Sequence, residues 1–316
     1  MTAIWDFPSI SREQWIESIK KELKGRSWDE QFVSLTEKLQ VPPAYHSEEV
    51  SQQEWTPLTG HHHAQALPGI NFKDSALNQS NKQMLQALKH GVQAPGIVKT
   101  SKEQADVEII FKNVHPDMLE WHLFGYSEED KLVQFLRSNG ASCVLHWAPL
   151  DSTDINVRLE SFIDRLYAFD QSRKEDSFHY HCRTGTQYLT EIAVLRAMRR
   201  IFENYKAATR LKKTDFCLST TNAINPLSED PYTQMVANST MAMSAMIAGA
   251  DRISLDVLFE EKQELQNRMA INLIQILKME SHLNKVRDPL AGSYWIEKAT
   301  DSLAAHYWQS FQSRYQ

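Results

Sequence analysis

Apolar residues recur along this chain with two periods. From residue 96 onward, short runs rich in β-branched and aromatic residues alternate with longer stretches repeating at helical spacing. The runs 96–100, 108–112, 120–124, 142–147, 178–182, 216–220 and 252–256 predict strands, and 69–73 offers one more. Amphipathic stretches at 127–139, 154–170, 186–208, 229–248, 260–283 and 297–313 predict the helices between them. Alternation of this kind, with about eight strands, predicts an α/β fold, a (β/α)8 TIM-barrel-like arrangement. Several crossovers before residue 126 are too short for a full helix, because a parallel connection takes about a dozen residues or more. The first half of the barrel is therefore expected to be trimmed or irregular.

The chain before residue 96 has a different texture. Ser11-x-x-Gln14 is a capping box, Trp15, Ile16, Ile19 and Leu23 share a helical face, and Gly25 closes it. This predicts an N-terminal helical arm over 1–35. Its apolar face either packs on its own barrel or reaches a partner. Residues 36–95 are polar and punctuated by Pro42-Pro43, Pro57, Gly60 and Pro68-Gly69, which predicts a connection wrapping the surface before the barrel domain of 96–316. His61, His62 and His63 lie within it. In an extended chain His61 and His63 share a side but His62 does not, and no nearby acid or cysteine completes a metal site. A solvated loop is expected there.

Local signals are strongest toward the C-terminus. Ser228 is a candidate N-cap, Pro231 sits early in the helix, and Gly249 is a natural terminator. Met235, Ala242, Ala245 and Met246 with few charges around them predict a helix buried nearly all round. Asp288-Pro289 stops the next helix, since the residue before a proline is pushed out of the helical region. On the helix from Gln187, Tyr188, Ile192, Leu195 and Phe202 form the apolar face. Arg196, Arg199 and Arg200 fall off it and are expected to be solvated or paired with Glu191 and Glu203; holding a phosphate is the weaker reading.

Composition narrows the classes. With 42% hydrophobic and 23% charged residues the chain is an ordinary globular one. A net charge of −6 gives no footprint for nucleic acid and no attraction to a membrane surface. No apolar run approaches the roughly 20 residues of a bilayer span, and the first residues lack the pattern of a signal peptide. Cys143, Cys182 and Cys217 are odd in number, far apart and on candidate strands, as expected of buried thiols in a reducing, cytoplasmic setting.

Candidate chemistry is sparse. His179 and His181 stand two apart on a strand and point to one side, where His146 on a neighbouring strand can join them. Three histidines can bind zinc with an open position for hydrolytic chemistry; hydrogen-bonded structural histidines are the plainer reading. Asp251 and Asp256 flank a strand end, and with Arg252 beside them a local ion pair is expected. There is no Gly-x-Ser-x-Gly and no P-loop, and Leu290-Ala291-Gly292-Ser293 is too short to cradle phosphates.

Several segments carry a family resemblance. Asp230-Pro231-Tyr232, Ala248-Gly249-Ala250-Asp251 and the run Asp288-Pro289-Leu290-Ala291-Gly292-Ser293-Tyr294 resemble the C-terminal barrel segments of the methylmalonyl-CoA mutase family. The helical run from Glu191 to Arg200 is similar to that family's as well. Phe7-Pro8, Arg12-Glu13-Gln14-Trp15 and Leu23-Lys24-Gly25-Arg26 look like the opening of its non-catalytic small subunits. The resemblance is clear over 5–35 and 186–300.

The family rearranges acyl-CoA skeletons with adenosylcobalamin and is an isomerase family. Ala237 stands where the resemblance calls for an arginine. The stretch from Ala248 to Ser254 replaces a Gly-Gly-Thr-Gln-Ser-Leu-His signature, and Phe178 to Gly185 departs from the Tyr-His-Met-Gln-Glu-Ala-Gly run. The Asp-x-His-x-x-Gly of a cobalamin domain does not occur in the sequence. The resemblance therefore implies a small-subunit-like chain with no catalytic or cofactor-binding residues of its own. Adenosylcobalamin is expected in a catalytic partner subunit, and the arm is expected to mediate that pairing or self-association. The alternatives are an acyl-CoA-binding protein with a remnant cavity and a zinc enzyme built on His146, His179 and His181.

Overall fold

The computed structural model describes residues 9–50, 58, 66–100, 105–147, 152–172, 177–209, 211, 213–223, 230–256 and 263–315. Helix α1 (Arg12–Glu22) is followed by an antiparallel hairpin of β1 (Val33–Thr36) and β2 (Leu39–Val41). Then come β3 (Leu67–Gly69), β4 (Asn71–Lys73), α2 (Asp74–Leu77), α3 (Lys82–Lys89), β5 (Gly96–Val98), α4 (Val107–Ile110) and β6 (Glu120–Phe124). Regular alternation starts there: α5 (Lys131–Ser138), β7 (Ser142–His146), α6 (Ile155–Ser172), β8 (Ser177–Thr184), α7 (Tyr188–Ala208), β9 (Asp215–Asn222), α8 (Pro231–Ile247), β10 (Arg252–Ser254), α9 (Gln263–Met279) and α10 (Tyr294–Tyr315).

The central strands form two four-stranded sheets, ordered β3-β10-β9-β8 and β4-β5-β6-β7, with every pairing parallel. Only Ile70 separates β3 from β4, so this run links the two sheets. Parallel strands with helices packed outside them are consistent with the TIM-barrel-like fold predicted. No ladder joins β7 to β8 among the described residues. Side chains meet there instead, with the His146 and His181 rings 5.8 Å apart.

The pleat sorts each strand into two faces. On β6, Trp121 and Leu123 pack outward with Met84 of α3, Ile110 of α4 and Leu132 of α5. On β8, Phe178, Tyr180 and Cys182 join Phe162 of α6 and Ile192 of α7 in a second apolar cluster. Glu120, His122 and Phe124, and His179 and His181, occupy the alternate positions, on the opposite faces of these strands.

Local signals were followed closely. The capping box at Ser11 is formed in both directions, with Gln14 N–H donating to Ser11 Oγ (3.4 Å) and Ser11 N–H to Gln14 Oε1 (3.1 Å). At the end of α8, Gly249 has φ +79. Ala250 N–H reaches Ala245 O and Gly249 N–H reaches Met246 O, the paired bonds of a left-handed helix terminator. The arm folds back on its own chain: Trp15 meets Trp28 edge-on at 6.1 Å and His46 at 6.0 Å, and Arg12 pairs with Glu49 at 3.0 Å. No residue of α1 is fully buried. Phe7-Pro8, Ser228 and His61 to His63 lie outside the described residues.

Three expectations are corrected. Residues 108–112 are not a strand: Asp106 caps α4 by accepting from Glu108 N–H (3.1 Å) and Ile109 N–H (3.3 Å), so Val107 and Ile110 are buried at helical spacing. Helix α8 is not buried all round. Met241, Ala242 and 244–247 are buried, but Thr240 and Met243 are half-buried, and Tyr232 and Val236 are 75% and 69% exposed. Its N-cap is Asp230, which accepts from Thr233 N–H at 2.8 Å. Only Cys182 is a fully buried thiol, Cys143 and Cys217 being half-buried.

Candidate functional site

The inward-facing positions of β6 to β10 converge on one polar cluster. Arg252 of β10 lies at its centre and is 1% exposed. Its Nε donates to Ala94 O (2.9 Å), its Nη2 to Asn71 Oδ1 (2.7 Å) and its Nη1 to Ser219 Oγ (3.3 Å). Its guanidinium carbon sits 5.7 Å from the centre of the Phe124 ring. The side chain fits because β3 and β5 present glycine to it. A Cβ on Gly69 would lie 2.6 Å from Arg252 Nε, and one on Gly96 would lie 2.8 Å from Nη2. Burial pushes the pKa of Arg252 down to about 9 against the pull of Glu120 and Asp256.

The expected local ion pair at this strand end is not made. Asp251 turns away to accept from Arg199 Nη2 (3.1 Å) and Leu218 N–H (2.7 Å). Asp256 lies 3.6 Å from Arg183. Arginine and aspartate that are adjacent on a strand point to opposite faces, so Arg252 and Asp251 cannot meet.

The three histidines singled out from the sequence do come together. The ring of His146 lies 6.3 Å from that of His179 and 5.8 Å from that of His181. Phe124 stacks on His146 at 4.7 Å with the ring planes 13° apart. His181 uses both nitrogens, Nδ1 with Ser219 Oγ (2.9 Å) and Nε2 with Thr221 Oγ1 (3.2 Å). Thr221 continues to Ser254, 2.5 Å away. His146 Nε2 is 2.7 Å from His122 Nδ1, and His122 Nε2 is 2.8 Å from Glu120 Oε1. Among the described residues, no group of three His, Cys, Asp or Glu side chains converges to hold a metal ion.

Burial pushes the pKa of His122, His146 and His181 well below the ordinary histidine value. Arg252 adds to this at His122 and His181, and His122 at His146. His122 was not singled out from the sequence. Its signal was the Glu-x-His-x-Phe alternation of 120–124, which puts Glu120, His122 and Phe124 on one face.

Arg196 and Arg199 of α7 are buried rather than solvated, while Arg200 is half-buried with its Nη2 3.6 Å from Asp301 and 3.8 Å from Glu297. Arg196 and Arg199 are 1% and 3% exposed. Arg196 pairs with Asp288 and, at 2.6 Å, with Glu297; Arg199 donates to Gly249 O as well as to Asp251. Glu191 takes a bidentate grip from Arg158 of α6 (2.7 and 2.9 Å) instead of pairing along its own helix. Buried carboxylates demand such partners, so the phosphate reading has no free guanidinium here to rest on.

These pairings tie together a segment with known relatives. Residues 159–314 match the family model for methylmalonyl-CoA mutase. The methylmalonyl-CoA mutase small subunit of Porphyromonas gingivalis is 31% identical over 166 residues, 49% of this chain and 26% of that protein. The small subunit of Propionibacterium freudenreichii subsp. shermanii is 32% identical over 137 residues, 41% of this chain and 21% of that one. Methylmalonyl-CoA mutase of Rhizobium meliloti is 34% identical over 133 residues, 39% of this chain and 18% of that one. Residues 159–314 belong to the methylmalonyl-CoA mutase family. The matched part amounts to about a quarter or less of the length of these relatives.

The mutase-like motifs have structural work in this chain. Asp288 and Glu297 hold Arg196, and Gly292 N–H donates to Glu297 Oε1 (3.0 Å), so the Asp-Pro-Leu-Ala-Gly-Ser-Tyr turn is fastened to α7. Asp230 caps α8, and Gly249 ends it. The mutase-family match begins in α6, so His122 and His146 on β6 and β7 lie outside it. Among the described residues, no helix is long and apolar enough to cross a membrane.

Proposed function

We propose that this chain is a non-catalytic, small-subunit-like member of the mutase family that pairs with a catalytic mutase chain and stabilises it. The observation that carries the reading is the filled interior. Phe124, His146, His181 and Arg252 lie on the inward faces of their strands, each at 3% exposure or less. A barrel that admits a substrate needs an open, concave volume there. Ala237 and the divergent run 178–185 point the same way, and several of the relatives are themselves named small subunits.

Adenosylcobalamin then resides in the catalytic partner. The central residues of this chain do not fit it as a resident group. Both nitrogens of His181 are committed to Ser219 and Thr221, and Nε2 of His146 to His122, so neither offers that nitrogen to cobalt. The contribution of this chain is packing: a rigid α/β body with an arm whose apolar face is only half covered by its own chain.

Co-expression with an adenosylcobalamin-dependent catalytic mutase chain tests the reading. A stable complex by light scattering, with all corrin and all isomerase activity assigned to the catalytic chain, is the expected result. Stoichiometric corrin on the isolated protein, or isomerase activity from it when adenosylcobalamin is supplied, would overturn the proposal.

A further inference from the structure

Lys278 stands in the last turn of α9, half-buried, with its Nζ 3.5 Å from Ala66 O, at the edge of hydrogen-bond range. The C-terminal turn of a helix ordinarily favours a charged amine. Burial works the other way here and pushes the pKa of Lys278 below the ordinary lysine value. More of this amine is therefore neutral than on an exposed lysine, and only the neutral form has a lone pair to attack with.

The amine lines a cleft of about 610 Å³. Leu67, Glu120 and Ser142 open β3, β6 and β7, which places this cleft at the N-terminal ends of the strands. Its volume falls within the roughly 300–1,000 Å³ of small-molecule sites. Met118 and Leu119 give it an apolar wall, and Gln93 and Asn284 bring amide N–H groups of the kind that donate to a carbonyl oxygen. Asp117 and Glu120 add carboxylates, and Lys278 is the one cation among the described residues that line it. The closed rings of Phe124, His146 and His181 take no part in its wall.

We propose that this cleft captures small neutral aldehydes, which Lys278 Nζ holds as an imine. The Nζ lone pair forms a C–N bond to the carbonyl carbon, and one N–H proton passes to the carbonyl oxygen, giving a carbinolamine. The C–O bond then breaks, the hydroxyl leaves as water with the second N–H proton, and a C=N bond remains. No oxidant or reductant is consumed. The carboxylates of Asp117 and Glu120 favour the cationic, protonated imine and repel an anionic carbonyl compound such as an oxo acid. The capture involves no radical chemistry and stands whether or not the small-subunit reading does.

Benzaldehyde with cyanoborohydride, applied to the full chain at neutral pH, tests the proposal. The reductant converts the imine to a stable secondary amine, and peptide mass spectrometry locates it. The rate at Lys278 should exceed that at the exposed Lys82 of α3 by about tenfold or more, a ratio equivalent to about 1.4 kcal/mol of burial acting against the charged amine. In urea, where the cleft is lost, that lead should disappear. Glyoxylate, an anionic aldehyde, should show a smaller ratio of Lys278 to Lys82 than benzaldehyde does. A rate at Lys278 no greater than at Lys82 overturns the proposal, and so does a lead that survives in urea. An equal lead with both aldehydes sinks the assignment to neutral ones.

Discussion

Arg196 of α7 and Glu297 of α10 meet at 2.6 Å, both almost wholly buried, across a sequence separation of 101 residues. The same guanidinium holds Asp288, whose other oxygen accepts from Leu58 N–H (2.9 Å). Asp288 has φ +45, a left-handed conformation that aspartate and asparagine tolerate better than most residues. One arginine thus fixes the turn, the start of the last helix and a point on the wrapping segment. Removing one partner of a buried pair leaves the other charge uncompensated.

Arg196→Met should therefore destabilise the protein by about 3–5 kcal/mol, read as a lowered urea midpoint. Asp288→Asn keeps the shape and the left-handed backbone but removes a charge, and should cost less than Arg196→Met. A midpoint for Arg196→Met within error of the parent protein would show that the pair is not holding the turn.

The glycines facing Arg252 give a second test. Gly69→Ala places a methyl where the guanidinium lies, at 2.6 Å from Nε, and Arg252 is pinned by Ala94 and Asn71. Overpacking of this kind costs about 1–3 kcal/mol. In an Arg252→Leu background the conflict is absent, so the cost of Gly69→Ala should shrink. A double-mutant cycle on unfolding free energies measures the coupling; a coupling of zero would place Arg252 elsewhere.

What the sequence disclosed, and what it hid, follows from range. The capping box at Ser11, the terminator at Gly249 and the inward–outward alternation on β6 and β8 involve residues within a few positions of each other, where propensity and spacing decide. The partners of Arg196, at 92 and 101 positions, and of His122, at 24, are fixed only when α7 packs on α10 and β6 on β7. Charge placement off an apolar face suggested solvated arginines, because helical periodicity does not show a second helix or a turn covering that face. The segment at 107–110 misled for a different reason. Its apolar content fits either a short strand or one helical turn, and the side chain of Asp106 decides between them.

That decision is testable. Asp106→Ala removes the only side-chain cap of α4 and should cost about 0.5–2 kcal/mol, measured by urea unfolding. Asp106→Asn retains an accepting oxygen and should recover most of the loss. Equal stability of Asp106→Ala and the parent would argue against the cap.

Acid sensitivity is the last expectation, and its sign follows from the buried rings. His122, His146 and His181 have folded-state pKa values well below the ordinary one, so the unfolded chain binds their protons first as pH falls. In the window below the unfolded value, about 6.5, the unfolded state carries more protons, and stability must fall with falling pH. Above that value the three rings are neutral in both states and contribute no slope. Each ring contributes up to about 1.4 kcal/mol per pH unit inside the window, before the carboxylates begin to titrate. Unfolding free energies at pH 7.5, 6 and 5, with other conditions held fixed, should show a plateau and then a steep decline. Around His181 the groups opposing protonation are Arg252 on β10, His122 on β6, Arg183 on β8 and Arg165 on α6. His181→Gln can keep hydrogen bonds to Ser219 and Thr221 while removing one titrating ring, so its decline should be shallower by about one proton's share. An unchanged slope in that variant would mean that the ring is already protonated in the folded state.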